Sequence, residues 1–168
     1  WEYDPVSNHW AKKENLGGTA RQYATGFNIG SKGYMGTGLD DRNKKDFWEY
    51  DPPTNVWTQK ADFAGVARYF ATSFSIGNKG YIGTGSTTDS VKNDFWEYNP
   101  TTNAWTRKAD FGGGARYAAT GFSIGGKGYI GTGVNGSTYY NDLWEYDTVN
   151  NTWTRKADFN GGKRNYAT

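Results

Sequence analysis

Gly128-Tyr-Ile-Gly-Thr-Gly133, then Asp142-Leu-Trp-Glu-Tyr-Asp147, then Asn151-Thr-Trp-Thr-Arg-Lys-Ala-Asp-Phe159 are the three words whose order decides the fold. Each recurs upstream: Gly33 to Gly38 and Gly80 to Gly85 repeat the first, and Trp48-Glu-Tyr-Asp51 and Trp96-Glu-Tyr-Asn99 repeat the second. Trp57-Thr-Gln-Lys-Ala-Asp-Phe63 and Trp105-Thr-Arg-Lys-Ala-Asp-Phe111 repeat the third. The tryptophans measure the period, because Trp1, Trp48, Trp96 and Trp144 are 47, 48 and 48 residues apart, as are Trp10, Trp57, Trp105 and Trp153. The chain is a tandem array, and each unit is too long for an ankyrin or tetratricopeptide repeat.

Alternation gives the strands of one unit. Residues 117–124 read as a first strand, Gly128–Gly133 as a second, Asp142–Asp147 as a third and Thr152–Lys156 as a fourth. Gly125-Gly126 supplies positive φ for a tight hairpin, residues 134–141 form a loop, and Asp-Pro-Pro-Thr-Asn at 51–55 is a turn in which Pro presets φ and Asn tolerates the left-handed region. Four short antiparallel strands per unit, with no helical periodicity, make the fold all-β and the unit a propeller blade. The Gly-Thr-Gly words are expected on inner strands crowding the axis, and the aromatics between blades.

These words resemble kelch repeats: Gly-Tyr-Ile-Gly-Thr-Gly, a variable loop, Asp-Phe/Leu-Trp-Glu-Tyr-Asp, Asn-x-Trp and a Gly-rich link to Arg, with Gly-Thr-Gly where kelch repeats usually carry a Gly-Gly doublet. The resemblance covers essentially the whole chain and implies a kelch-type β-propeller segment of about 3.5 repeats. Residues 1–15 read as a half blade (strands three and four), 22–63, 69–111 and 117–159 as full blades, and 164–168 as the start of another. Closure is expected from further blades of a longer polypeptide or from a second copy of the chain, since an open arc exposes strand edges. The variant is similar to kelch repeats of secreted or surface proteins of Gram-negative bacteria, which implies an extracytoplasmic location. A start at Trp1 points to a processed or truncated chain.

Composition narrows the chemistry. With no cysteine, disulfides, thiol catalysis and zinc-thiolate sites are out, and so is the cysteine-linked tyrosine of copper-radical oxidases built on kelch propellers. A net charge of +2 with scattered Lys and Arg gives no nucleic-acid stripe, and no apolar run reaches the ~20 residues of a membrane-spanning helix. The single His9 lies on a turn without a second His, and Asp40-Asp41 and Asp89 lack calcium-loop spacing, so no metal, cofactor or catalytic residue is assigned.

In a repeat, residues that recur hold the unit together, and residues that break the pattern are free for a local site. Glu49, Glu97 and Glu145 recur and read as scaffold pairs. Arg21, Arg68, Arg116 and Arg164 recur just after the Gly-rich link; they either clip the link to the neighbouring blade or ring the channel mouth, where the resemblance to kelch proteins implies a partner-binding face. The pattern breaks between strands two and three, at 39–45, 86–92 and 134–140, and loops on a rigid scaffold commonly carry specificity. Arg42, Lys44, Lys45, Asp89, Lys92, Tyr139 and Tyr140 are the loop candidates. Asp89-Ser90-Val91 and Asp147-Thr148-Val149 resemble a bacterial O-glycosylation motif at Ser90 and Thr148. The expected function is a non-enzymatic module binding protein or glycan through these loops. The alternatives are a sugar-acid isomerase or lyase in the axial channel, which the resemblance admits because some kelch propellers act on sialic-type sugars, and an architectural spacer.

Overall fold

The computed structural model describes residues 1–167. Three four-stranded antiparallel sheets follow in chain order: β3–β6 (Thr25–Ile29, Lys32–Gly36, Phe47–Asp51, Val56–Lys60), β7–β10 (Thr72–Ile76, Lys79–Gly83, Phe95–Asn99, Ala104–Lys108), and β11, β12, β15 and β16 (Thr120–Ile124, Lys127–Gly131, Leu143–Asp147, Thr152–Arg155). They are preceded by the hairpin β1–β2 (Glu2–Asp4, His9–Ala11), which matches the third and fourth strands of a blade. The order within each sheet is the order in the chain, and β3, β7 and β11 lie side by side as the inner strands. The architecture is that of kelch-type propeller blades.

Each blade is closed by the turn residues the repeat supplies. Asn55, Asn103 and Asn151 sit at φ of 55°, 50° and 53°, the left-handed region that Asn tolerates, and turn strand three into strand four. Their side chains do a second job, since the Oδ1 of Asn103 accepts from Tyr98 Oη and from the Ala61 N–H of the previous link, both at 2.9 Å. Trp105 Nε1 donates to the carbonyl of the same Ala61 at 3.1 Å, so each fourth strand is stitched to the blade before it.

Aromatic rings fill the wedge between blades. Tyr34, Phe47 and Phe63 of one blade bury against Ile82 and Tyr98 of the next, and Phe74, Tyr81, Phe95 and Phe111 bury against Ile130 and Tyr146 in the same way. Phe47 meets Tyr98 edge-on at 4.8 Å and Phe95 meets Tyr146 at 4.9 Å, the T-shaped geometry aromatic pairs favour. Burial of a phenylalanine side chain contributes about 1.5–3 kcal/mol, so these layers are the main cohesion of a chain with few aliphatics. Their fit demands glycine: a Cβ on Gly80 falls 2.1 Å from the Phe27 ring and one on Gly128 falls 2.3 Å from that of Phe74.

Three details differ from the sequence reading. The first strand begins at Thr120 and not Tyr117, because Ala118 lies at φ 53° and turns the chain before the sheet starts. The loop at 134–141 contains a small hairpin, β13–β14 (Val134–Asn135, Thr138–Tyr139). Gly-Thr-Gly is not on the inner strands. It leaves the second strand, where a Cβ on Gly83 meets the Phe95 ring at 2.6 Å and the turn sets Thr84 at φ 59° and Gly85 at 98°.

Candidate functional site

The recurring arginines are committed to a lock. Arg68 is wholly buried, and its two terminal nitrogens grip the Asp94 carboxylate at 2.6 and 2.8 Å. It also donates to the carbonyls of Thr84 (2.8 Å) and Val66 (3.0 Å) and lies over the Phe63 ring at 4.9 Å. Asp94 accepts Trp96 Nε1 at 2.7 Å as well. Burial alone would raise the Asp94 carboxyl, but hydrogen bonds and charge from Arg68, with the Trp96 N–H, hold it below its ordinary value. Arg21 grips Asp46 and Arg116 grips Asp142 in the same fork, so Arg21, Arg68 and Arg116 point into their blades and offer no ring of ligand donors to the channel. Arg164 stacks on Phe159 and faces no carboxylate among the described residues.

The recurring glutamates are paired likewise. Tyr34, Tyr81 and Tyr129 donate to Glu49, Glu97 and Glu145 at 2.6, 2.8 and 2.7 Å, and Lys60, Lys108 and Lys156 close the pairs. Of the groups a sugar-acid enzyme would use, Arg21, Arg68 and Arg116 are thus bonded to aspartates and the glutamates to tyrosines and lysines of their own blades.

The loop residues are held more loosely. Lys44 binds Asp40 at 2.6 Å, and this hydrogen bond lowers the Asp40 carboxyl. Lys45 lies 3.8 Å from Asp62, and Arg42 is exposed beside them along an open cleft of about 520 Å³. Asp89 and Ser90 are exposed at the tip of the second blade's loop, Lys92 is half-buried with its N–H on the Gly85 carbonyl, and Thr148 is half-buried in a β15–β16 turn. Tyr140 is turned inward, its ring 3.9 Å from the Arg116 guanidinium, whereas Tyr139 is 45% exposed. The two adjacent tyrosines therefore have separate roles: Tyr140 covers the lock and Tyr139 meets solvent.

Sequence reasoning passed over a second group on the same face. Residues 22, 69 and 117 pair across isolated bridges with the variable loops, as Gln22 with Leu39, Tyr69 with Ser86 and Tyr117 with Val134. One residue further on, Tyr23, Phe70, Ala118 and Tyr166 all lie in the left-handed region, with φ from 53° to 59°. That conformation builds an inter-blade ladder around the axis: Phe70 N–H donates to the Tyr23 carbonyl (3.1 Å), Ala118 to Phe70 (3.2 Å) and Tyr166 to Ala118 (3.1 Å). The side chains form a collar. The Phe70 ring lies 3.8 Å from that of Tyr23, 5.3 Å from Tyr69, 5.9 Å from Tyr117 and 5.1 Å from Tyr166. Tyr23, Phe70 and Tyr166 line a cavity of about 260 Å³ together with Ala24, Ala71, Ala119 and Ala167.

Hydroxyl bonding divides the tyrosines. Tyr34, Tyr81 and Tyr129 donate to glutamates, and Tyr3, Tyr50, Tyr98 and Tyr146 donate to asparagines of their own turns. Among the described residues no such bond is made by the hydroxyls of Tyr23, Tyr69, Tyr117, Tyr139, Tyr140 or Tyr166, all of which belong to the loop face. The signal in the sequence is the irregular series Tyr23, Phe70, Ala118, Tyr166, two residues after each recurring Arg.

With blade, lock and loops in place, residues 115–160 match the family model described as the Kelch motif. This blade is a kelch motif. The other two full blades repeat its words at the same spacing, and kelch domains generally mediate protein interactions. Among the solved structures that match, that of YjhT superposes with a TM-score of 0.74 at 19% identity, covering 88% of this chain and 54% of that one. The likeness is one of fold, and the kelch arc spans about half the length of that chain. No curated protein matches the sequence.

Proposed function

We propose that this kelch arc is a non-enzymatic binding module that takes a protein or glycan partner on the face formed by the variable loops and the axial collar, as part of a protein working outside the cytoplasm. One observation carries the reading: the recurring Arg21, Arg68 and Arg116 and the recurring glutamates are paired inside their blades, while the loops that differ between blades present exposed side chains. Arg68 and Arg116 are fully buried, whereas Arg42, Asp89 and Tyr139 meet solvent on loops held by a rigid frame. The exposed Ser90, if glycosylated, would add a glycan on that same face.

The test exchanges specificity while keeping the fold. Residues 134–140 are replaced by 86–92, and both proteins are screened against extracellular protein and glycan libraries. The bound set is expected to change while the circular dichroism and melting curve stay the same. Identical binding profiles would remove the loops from the function.

A further inference from the structure

The collar carries an inference that rests on the binding-module reading and gives its ligand a chemistry. We infer that the axial mouth is a subsite for an uncharged hexopyranose, stacked on the rings of Tyr23, Phe70 and Tyr166 and hydrogen-bonded by the surrounding phenols.

Backbone conformation supplies the first support. Position 70 and its equivalents need φ near +55°, where glycine is cheapest and a bulky side chain is a rare outlier. The ladder bonds made there use only N–H and C=O groups, so glycine would serve the architecture in every blade. Three of the four positions instead carry aromatic rings, and Tyr23 and Tyr166 are 42% and 58% exposed. The backbone ladder does not require these rings.

Their chemistry supplies the second. An aromatic face has a negative quadrupole that attracts the weakly positive C–H groups on one side of a pyranose ring, and a phenol both donates to and accepts from sugar hydroxyls. The collar combines faces with hydroxyls that bond to nothing in the described chain, unlike the phenols of the sheets. Charge speaks for a neutral ligand. Arg21, Arg68 and Arg116 are sequestered by Asp46, Asp94 and Asp142, and Arg164 stacks on Phe159 and lines a separate cleft, so no guanidinium lines the collar cavity. The cavity of about 260 Å³ that Tyr23, Phe70 and Tyr166 help to line has room for one sugar residue and not for a folded partner.

The same strain makes a clean test. The triple variant Tyr23→Gly, Phe70→Gly, Tyr166→Gly keeps the ladder and removes the rings. Wild type and variant are titrated with maltotetraose, cellotetraose and mannotetraose, with tetragalacturonate and a proline-rich peptide as comparators, using saturation-transfer NMR. At least one neutral tetrasaccharide is expected to bind, with saturation strongest on ring C–H protons. Each ring removed alone should weaken it roughly two- to tenfold, and the triple variant should lose it while keeping the circular dichroism of the folded blades. The inference is overturned if no neutral tetrasaccharide binds, if binding survives in the triple variant, or if the uronate or the peptide binds the collar in preference. Loop exchange that alters partner choice while no neutral tetrasaccharide binds the wild type would sink the sugar subsite alone and leave the module reading standing.

Discussion

Replacing Arg68 by alanine should cost the kelch arc about 3–5 kcal/mol, the penalty for leaving one partner of a buried ion pair without the other. Asp94 would keep only the Trp96 N–H as a donor of comparable quality, and the carbonyl of the fully buried Thr84 would lose its partner. The Phe63 ring would also lose the guanidinium that covers it. Against a domain stability of roughly 5–15 kcal/mol, this is a large fraction. Arg107→Ala is the matched control, because Arg107 forks onto Asp110 at 2.9 and 3.2 Å on the exposed edge, where such pairs contribute about 0–1 kcal/mol. Urea denaturation followed by tryptophan fluorescence measures both. Adding Asp94→Ala to Arg68→Ala should recover part of the loss, since the orphaned charge disappears with its partner. The pH dependence is fixed by the depressed Asp94 carboxyl: it adds stability above its unfolded value of 3.8, and that stability is lost as pH falls through the lower folded value. The gap between wild type and Arg68→Ala should therefore narrow below about pH 4. A loss under about 1 kcal/mol at pH 7, additive single and double variants, or a gap constant from pH 7 to 3 would refute the lock.

Gly80→Ala should destabilise by about 1–3 kcal/mol, as overpacked cores do, because the new methyl meets the Phe27 ring at 2.1 Å, while Gly33→Ala, whose nearest neighbour is Tyr50 Cβ at 3.8 Å, should be tolerated; equal melting temperatures would contradict the packing. Asn103→Ala should cost about 2–3 kcal/mol and Asn103→Gly about 1 kcal/mol less, since both lose the bonds to Tyr98 and Ala61 but only alanine resists the left-handed turn; thermal denaturation showing the opposite order would exclude the turn as a source of stability. Burial, then the neighbouring Glu49, raises the Tyr98 phenol to about 12, and burial raises Tyr34, Tyr81 and Tyr146 in the same direction. The folded state thus holds protons that the unfolded state releases, and stability should fall as pH rises from 10 towards 12. Absorbance at 295 nm should show these phenols ionising together with unfolding, and gradual ionisation with unchanged circular dichroism would be the contrary result.

The blades were legible because their determinants are local. Alternation over five residues, an Asn at the turn and a Trp at a fixed spacing are all visible in a single repeat. The aromatic wedge was legible for a different reason, since recurrence in register implies contact between successive units. The collar was hidden because nothing in Tyr117-Ala-Ala-Thr120 announces a left-handed residue. Glycine or asparagine would have marked the turn, and bulky residues there instead read as the start of a strand. Gly-Thr-Gly misled for the complementary reason: its glycines are required by the turn that leaves the second strand and by the Phe95 ring beside it. Arginine recurrence was readable as a pattern, but the direction of the side chain depends on an aspartate 26 residues further along, and only the fold brings Arg68 and Asp94 together.

Lock and collar are two ends of one short segment. Arg68 fixes the link by its side chain, and its backbone is held on both sides, its N–H donating to the Lys44 carbonyl and its carbonyl accepting from Gly38. Tyr69 then bridges to Ser86, and Phe70 hangs on the Tyr23 carbonyl. A left-handed Phe costs on the order of 1–3 kcal/mol and persists only where its surroundings over-determine it. Three successive residues pinned to two neighbouring blades meet that condition. Under the proposed collar reading, the buried ion pair serves recognition without touching a ligand: it makes the segment rigid enough to hold the half-buried Phe70 ring in a conformation the chain would otherwise leave. Weakening the lock by Arg68→Lys, which keeps the charge and loses the fork, should reduce ligand binding at the collar even when the blades remain folded, whereas an independent collar would bind as before.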